Sequence, residues 1–356
     1  MQKLQLSLAA LSLVATLATA NANIIGPFGE MVLQTNASDP DLVNPWGISF
    51  SGTSPFWVSD NGTGKATLYN SAGVKNMALI VSMPAGSFDV SGQVFNGTAG
   101  NFNGDNFVFA TEDGTITGWR GALGSTAETL FTVAGADYKG LAISPTKDTL
   151  YAANFAAGTI DVFNSAGKTG SFSDPSVPAG YAPFNVQTIN GKIYVTYALQ
   201  GAGGDNADGP GEGFVSVFDP TTHTFTRLVS NGVLNAPWGI TIAPASFGAL
   251  GGDLLVGNFG DGTINAFNPL TGNLVGTLAD FNGAPIVDDG LWALTFGNGG
   301  SGGLTTSLYI TAGPNDETGG LFAQINAVPE PSTLLLGTAG LALLVRQRRK
   351  SFVKAS

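Results

Sequence analysis

The chain has 356 residues, with 51 glycines, no cysteine, 11% charged residues and 10% aromatic ones. Its formal net charge is −11, and the lack of cysteine excludes disulfides, thiolate nucleophiles and cysteine-based metal sites. Residues 23–328 hold 24 acidic and 8 basic side chains, a balance that repels phosphate backbones and excludes nucleic acid as a partner.

The N-terminus reads MQKLQLSLAALSLVATLATANAN. One lysine, an apolar run from Leu4 to Leu17 and two small-x-small triplets, Ala18-Thr19-Ala20 and Ala20-Asn21-Ala22, predict a signal peptide over residues 1–22, removed by signal peptidase. Export follows from that reading.

From residue 23 the pattern changes to short apolar phrases separated by glycine-rich turns. Residues 30–47, EMVLQTNASDPDLVNPWG, match residues 226–239, TRLVSNGVLNAPWG. The first strand therefore reads as an outer strand that belongs to the last repeat and is placed ahead of the first.

A second phrase recurs six times: Gly64-KATLYN, Gly114-TITGWR, Gly158-TIDVFN, Gly213-FVSVFD, Gly262-TINAFN and Gly320-LFAQIN. Each begins with a turn glycine and continues with apolar alternation, as a half-buried strand requires. Further strands precede it, such as Pro45-WGISF, Lys139-GLAIS, Pro237-WGITI and Leu291-WALTF, then Phe56-WVSDN, Thr149-LYAANF and Asp253-LLVGNF. Four strands per unit and six units of about 50 residues predict an all-β fold, a six-bladed β-propeller over residues 23–327 whose last blade is closed by the N-terminal strand. The phrases LVNPWGISF, FWVSDNGTGKATLYN and NFAAGTIDVFN resemble a family of exported bacterial propellers of NHL-like type. That resemblance implies fold and export and carries no catalytic residues.

Sites in such a ring are expected where inner strands and their loops meet at one end of the channel. The candidates are Asn44, Trp46, Asn235, Trp238, Asp289 and Trp292, with Asn154 and Asn258 at the ends of neighbouring strands. Three tryptophans at matching positions would form an aromatic rim for a glycan or peptide, or would pack the blades together. Asp60, Asn61, Glu112 and Asp113 read either as turn chemistry or, with Asn154 and Asn258, as oxygen ligands for Ca²⁺. The second option resembles the calcium-dependent lactonase propellers, although their ligand set finds no residue-by-residue match here. The stretch Gln200-GAGGDNADGPGEG reads as a flexible insertion carrying Asp205, Asp208 and Glu212. His223, the single histidine, falls in a surface turn, so no catalytic residue is assigned.

The chain closes with a motif, Val328-Pro329-Glu330-Pro331-Ser332, an uncharged run over 332–345, and Arg346, Arg348, Arg349 and Lys350. This order resembles the PEP-CTERM sorting signal of Gram-negative bacteria, which implies processing by an exosortase. The 14-residue run is shorter than the ~20 residues that span a bilayer comfortably, and the basic tail would stay cytoplasmic. Residues 328–356 thus predict transient anchoring in the inner membrane, with the propeller delivered to the cell envelope or the extracellular space. Two functions remain open from sequence: a non-enzymatic binding module of the cell surface or matrix without a cofactor, and a calcium-dependent hydrolase or lactonase with a site at the channel.

Overall fold

The computed structural model describes residues 24–328. The signal peptide and the segment from Pro329 onward, including the run 332–345, lie outside the described residues. Between them stand six antiparallel sheets arranged as the blades of a propeller.

The inner strands are Pro45–Ser49, Val90–Phe95, Tyr138–Ile143, Tyr181–Ile189, Pro237–Ile242 and Leu291–Phe296. Every second strand is apolar almost throughout, as in FWVSD, FVFAT and LLVGN, and all five residues of each of these are buried. The reason is that a blade's middle is covered on both faces by its neighbours, so no solvent face exists to call for alternation. The repeated glycine-led phrases form the third strands, for example Lys65–Tyr69, Thr159–Asn164 and Phe214–Asp219.

Between each pair of adjacent blades lies its own apolar cluster, such as Trp57, Leu68 and Phe109 between blades 1 and 2, or Val215, Ile240 and Leu254 between blades 4 and 5. A seventh cluster sits on the axis. Stability is therefore distributed around the ring, blade against blade, as in other repeat architectures.

Blade 6 is completed from the other end of the chain. Phe28–Thr35 pairs antiparallel with Leu321–Ala327, with Phe28 opposite Ala327 and Thr35 opposite Leu321. The sequence places the start of this strand at Glu30, and the ladder begins two residues earlier. An addition that the repeat does not signal is the pair Ile24–Ile25, which runs parallel to the outer strand of blade 5 against Thr277 and Leu278. The N-terminal segment thus ties two blades together.

The stretch 201–213 also differs from a loose insertion. Asn206–Ala207 folds back to pair with Leu199 and Gln200, and Gly201 N–H donates to the Asp205 carbonyl at 2.7 Å.

Antiparallel order brings two loops of every blade to one end of the ring: the loop that leads into the inner strand and the turn that joins the second and third strands. In blade 1 Pro45 faces Asp60, in blade 3 Tyr138 faces Asn154, and in blade 5 Pro237 faces Asn258. This end is the channel mouth. Ala327 and Val328 leave beside Ser246, Gly248 and Ala249, the loop that follows the inner strand of blade 5, on the opposite side.

Candidate functional site: the acidic channel mouth

Every inner strand carries a bulge just inside the mouth, with register slips between Pro45 and Ile48, Val90 and Gln93, Tyr138 and Gly140, Pro183 and Asn185, Pro237 and Ile240, and Leu291 and Leu294. Bulges of this kind re-aim side chains and increase local twist. Small residues follow at the bulge, and they let the strands close on one another. A Cβ on Gly92 would stand 2.3 Å from the Leu141 nitrogen, one on Gly47 2.7 Å from the Ser91 carbonyl, and one on Gly239 2.4 Å from the Trp292 carbonyl. The bulge position is Gly47, Gly92, Gly140, Gly239 or Ala293 in five blades and Asn185 in blade 4, and the residues before these form a ring of six: Trp46, Ser91, Lys139, Phe184, Trp238 and Trp292.

Four of the six are aromatic, and they fill the channel. Trp46 and Trp292 stack with ring centres 3.7 Å apart, and Trp238 meets both edge-on at 6.1 and 5.8 Å. Phe259 closes on Trp292 at 4.3 Å. Trp46, Trp238 and Trp292 are only 3%, 4% and 1% exposed, so they make a plug and not an open rim. Of the two uses of these tryptophans that the sequence allows, the structure shows packing. The Trp292 indole N–H donates to Asn44 Oδ1 at 2.8 Å and that of Trp238 to the Lys139 carbonyl at 3.0 Å, whereas Trp46 Nε1 is buried without an acceptor.

Lys139 is the charged member of the ring. Its ammonium lies 5.5 Å from the centre of the Trp46 ring, is paired with Glu112, and has Asp137 at 3.4 Å and the exposed Asp205 at 3.9 Å. Burial alone would lower its pKa, but the attraction of Glu112 and Asp137 outweighs that and holds it above its ordinary value. Burial pushes the Asp137 carboxyl up to about 6 against the pull of Lys139. It also raises Glu317, with Glu112 and Asp205 adding repulsion, even though Asn44 donates to its Oε2. Asn44 Nδ2 further donates to Asn61 Oδ1 at 3.2 Å, and Asn61 to Glu112 Oε2 at 2.9 Å. One network therefore spans blades 1, 2, 3 and 6 above the aromatic plug.

Of the other sequence candidates, Asn235 and Asn258 are brought together and donate to the Asp261 carboxylate at 3.5 and 3.2 Å, whereas Asn154 and Asp289 stay in turns of their own. Asn154 donates to Asp161 at 3.0 Å and caps Ala157 N–H at 3.2 Å. Asn235 accepts from Gly209 N–H at 2.7 Å, Asn258 donates to the Val233 carbonyl at 2.7 Å, and the exposed Asp289 accepts from Asn315 N–H at 2.9 Å. Among the described residues no three acidic or histidine side chains are grouped to hold a metal ion. The cation in the network above the plug is Lys139, and Lys65 and Lys75 pair with Asp41 and Asp39 in the neighbouring loop 36–44.

Sequence reasoning missed Lys139, Asp137 and Glu317. A signal for Lys139 was present, since Lys139-GLAIS puts a charge where Pro45-WGISF and Pro237-WGITI put tryptophan. Glu317 lies in a turn that follows no repeat, and only the closed ring brings it to Asn44.

The loops of this end share one further property. None of the segments 36–44, 61–64, 83–89, 112–114, 133–137, 155–158, 173–180, 201–213, 231–236, 259–263, 279–290 and 313–320 contains a lysine, arginine or histidine. They do contain most of the acidic residues of the described chain, while Arg120, Lys147 and His223 lie in loops of the other end. Besides Lys139, three cations from outside these segments reach in, Lys65 to Asp41, Lys75 to Asp39 and Asp41, and Arg227 to within 3.7 Å of Asp174.

Two viral proteins align with most of this chain. Uncharacterized protein R648 of Acanthamoeba polyphaga mimivirus is 33% identical over 286 residues, covering 73% of this chain and 70% of its own. Uncharacterized protein L690 of the same virus is 33% identical over 280 residues, covering 72% and 74%. The chain belongs to their family. Residues 327–350 match the PEP-CTERM protein-sorting motif, which implies export and envelope sorting in bacteria. Among solved structures, a streptogramin B lyase aligns over 85% of this chain and 98% of its own at a TM-score of 0.53 and 13% identity. A luciferin-regenerating enzyme aligns over 84% and 96% at 0.52 and 15%. At such identities the likeness shows the propeller fold alone, a scaffold that hosts unrelated functions.

Proposed function

We propose that this member of the family is an exported binding propeller of the cell surface or matrix, and that its acidic mouth docks a basic peptide segment of its partner. The observation that carries the reading is the segregation of charge. Two loops from every blade converge on one end with no basic residue of their own, on a closed ring that holds them in place. The cations that reach them are taken up by Asp39, Asp41, Glu112 and Asp174, which leaves Asp113, Asp289 and Asp316 without an ion pair among the described residues. Such a surface raises the local concentration of cations and steers them. The tryptophans are covered, so recognition runs through carboxylates and amides at the rim instead of through sugar stacking.

The test is calorimetric titration with an oligolysine peptide. Asp113, Asp205, Asp289 and Asp316 are exposed at the mouth and come from three blades. Replacing these four by asparagine keeps an acceptor oxygen at each and should weaken binding at least about fourfold, given ~0.2–1 kcal/mol for each exposed pair. The same change at Asp148, Asp219 and Asp253, away from the mouth, should leave it unchanged. Equal affinity for the two variants would overturn the reading.

A further inference from the structure

At the end of the channel away from the mouth, the inner strands diverge around an open pocket of about 380 Å³. That size falls in the range of ~300–1,000 Å³ typical of small-molecule sites. Its walls are about half apolar, and Ile48, Phe50, Phe95 and Ile143 from blades 1, 2 and 3 make up that half with their neighbours. Six polar side chains also line it, Ser49, Gln93, Lys147, Gln187, Thr188 and Thr295.

Lys147 is the one charged residue among the lining residues. It is half-buried, and its Nζ is 3.3 Å from the Phe95 carbonyl, with no carboxylate paired to it among the described residues. The adjacent Asp148 is engaged elsewhere, accepting from Ser144, Thr146 and Thr149 hydroxyls at 2.8, 2.8 and 3.0 Å. Burial lowers the lysine's pKa, and no carboxylate opposes that shift. Here, in a chain whose other described lysines each pair with an acid, one is left facing this pocket. The Gln187 amide is exposed and makes no side-chain hydrogen bond among the described residues, unlike Gln93, whose amide is spent on the Gly47 and Trp57 carbonyls at 2.7 and 2.9 Å.

We propose that this pocket binds a small amphiphilic anion, its single acidic group held by Lys147 and Gln187 and its apolar body laid against Ile48, Phe50, Phe95 and Ile143. The charge is complementary, and the half-buried position of Lys147 strengthens a charge-assisted hydrogen bond made there. The site is distinct from the mouth in position and in sign of charge, so neither reading depends on the other.

Anilinonaphthalene sulfonate, an apolar anion that fluoresces on leaving water, serves as the probe. Fluorescence should rise saturably, hexanoate should displace the probe, and hexanol at the same concentration should not. Lys147 has a left-handed backbone, φ 60°, so Lys147→Asn suits its conformation and should weaken binding about tenfold, the loss expected for one charge-assisted hydrogen bond. Lys147→Arg should retain it. Gln187→Glu, at an exposed position, should weaken binding with Lys147 intact, which keeps the test decisive if the asparagine variant folds poorly. Probe binding that Lys147→Asn and Gln187→Glu both leave unchanged, or displacement by hexanol as effective as by hexanoate, would overturn the proposal.

Discussion

At the scale of single residues, the axis is governed by five small positions, by Asn185 at the sixth, and by the six side chains before them. Gly92→Ala would push a methyl against the backbone of the neighbouring inner strand, 2.3 Å from the Leu141 nitrogen. It should cost roughly 1–3 kcal/mol in urea unfolding, the usual range for an overpacked core. Gly170→Ala, in an outer strand with nothing within 4 Å of the added carbon, should be close to neutral; equal losses at both would mean that the close approach at the axis carries no special weight. Asp288 offers a second reading. It is 6% exposed and lies near Glu30, and burial with that repulsion pushes its carboxyl up to about 8. Its folded pKa exceeds the unfolded value of ~4, so the folded form binds the extra proton and stability from this group is lost as pH rises from about 4 through about 8. Asp288→Asn removes that loss, and its melting temperature should gain on the parent between pH 5 and pH 9; a constant offset would contradict the assignment. The pattern of tryptophans was legible from the sequence. Their burial was not, because it depends on six bulges meeting at one axis, and no single repeat records that.

At the scale of elements, the strand Phe28–Thr35 decides whether the ring is closed. Without it, Leu321–Ala327 would present unpaired N–H and C=O groups along a free edge, which invites pairing between molecules. A chain beginning at Asn36 should therefore elute as oligomers in size-exclusion chromatography, whereas one beginning at Ile24 should be monomeric in the same buffer. Monomers from both would show that blade 6 holds without its fourth strand. Strand order, blade number and this closure could be read from the Gly-led phrases and the displaced copy at residues 30–47, since both are local patterns repeated in register. The Ile24–Ile25 pairing and the hairpin within 201–213 escaped because each occurs once, and a feature without a repeat leaves no period to detect.

At the scale of the whole molecule, the two ends of the channel differ in charge, and the oligolysine titration should show it again through salt: affinity should fall steadily as ionic strength rises, since rim charges are screened within about 10 Å at 0.1 M. Affinity that ignores salt would place the contact away from the mouth. The closing ladder, Phe28 against Ala327, also sets an order of events. Its first strand is among the earliest parts of the domain to be made and its partner is the last, so the earlier strand waits through almost the entire synthesis, and the cost of closing so long a loop falls on the final step. The matched sorting motif begins at residue 327, where the closing strand ends. A ring whose closing ladder ends where that motif begins cannot be completed until the last residues before the motif are in place.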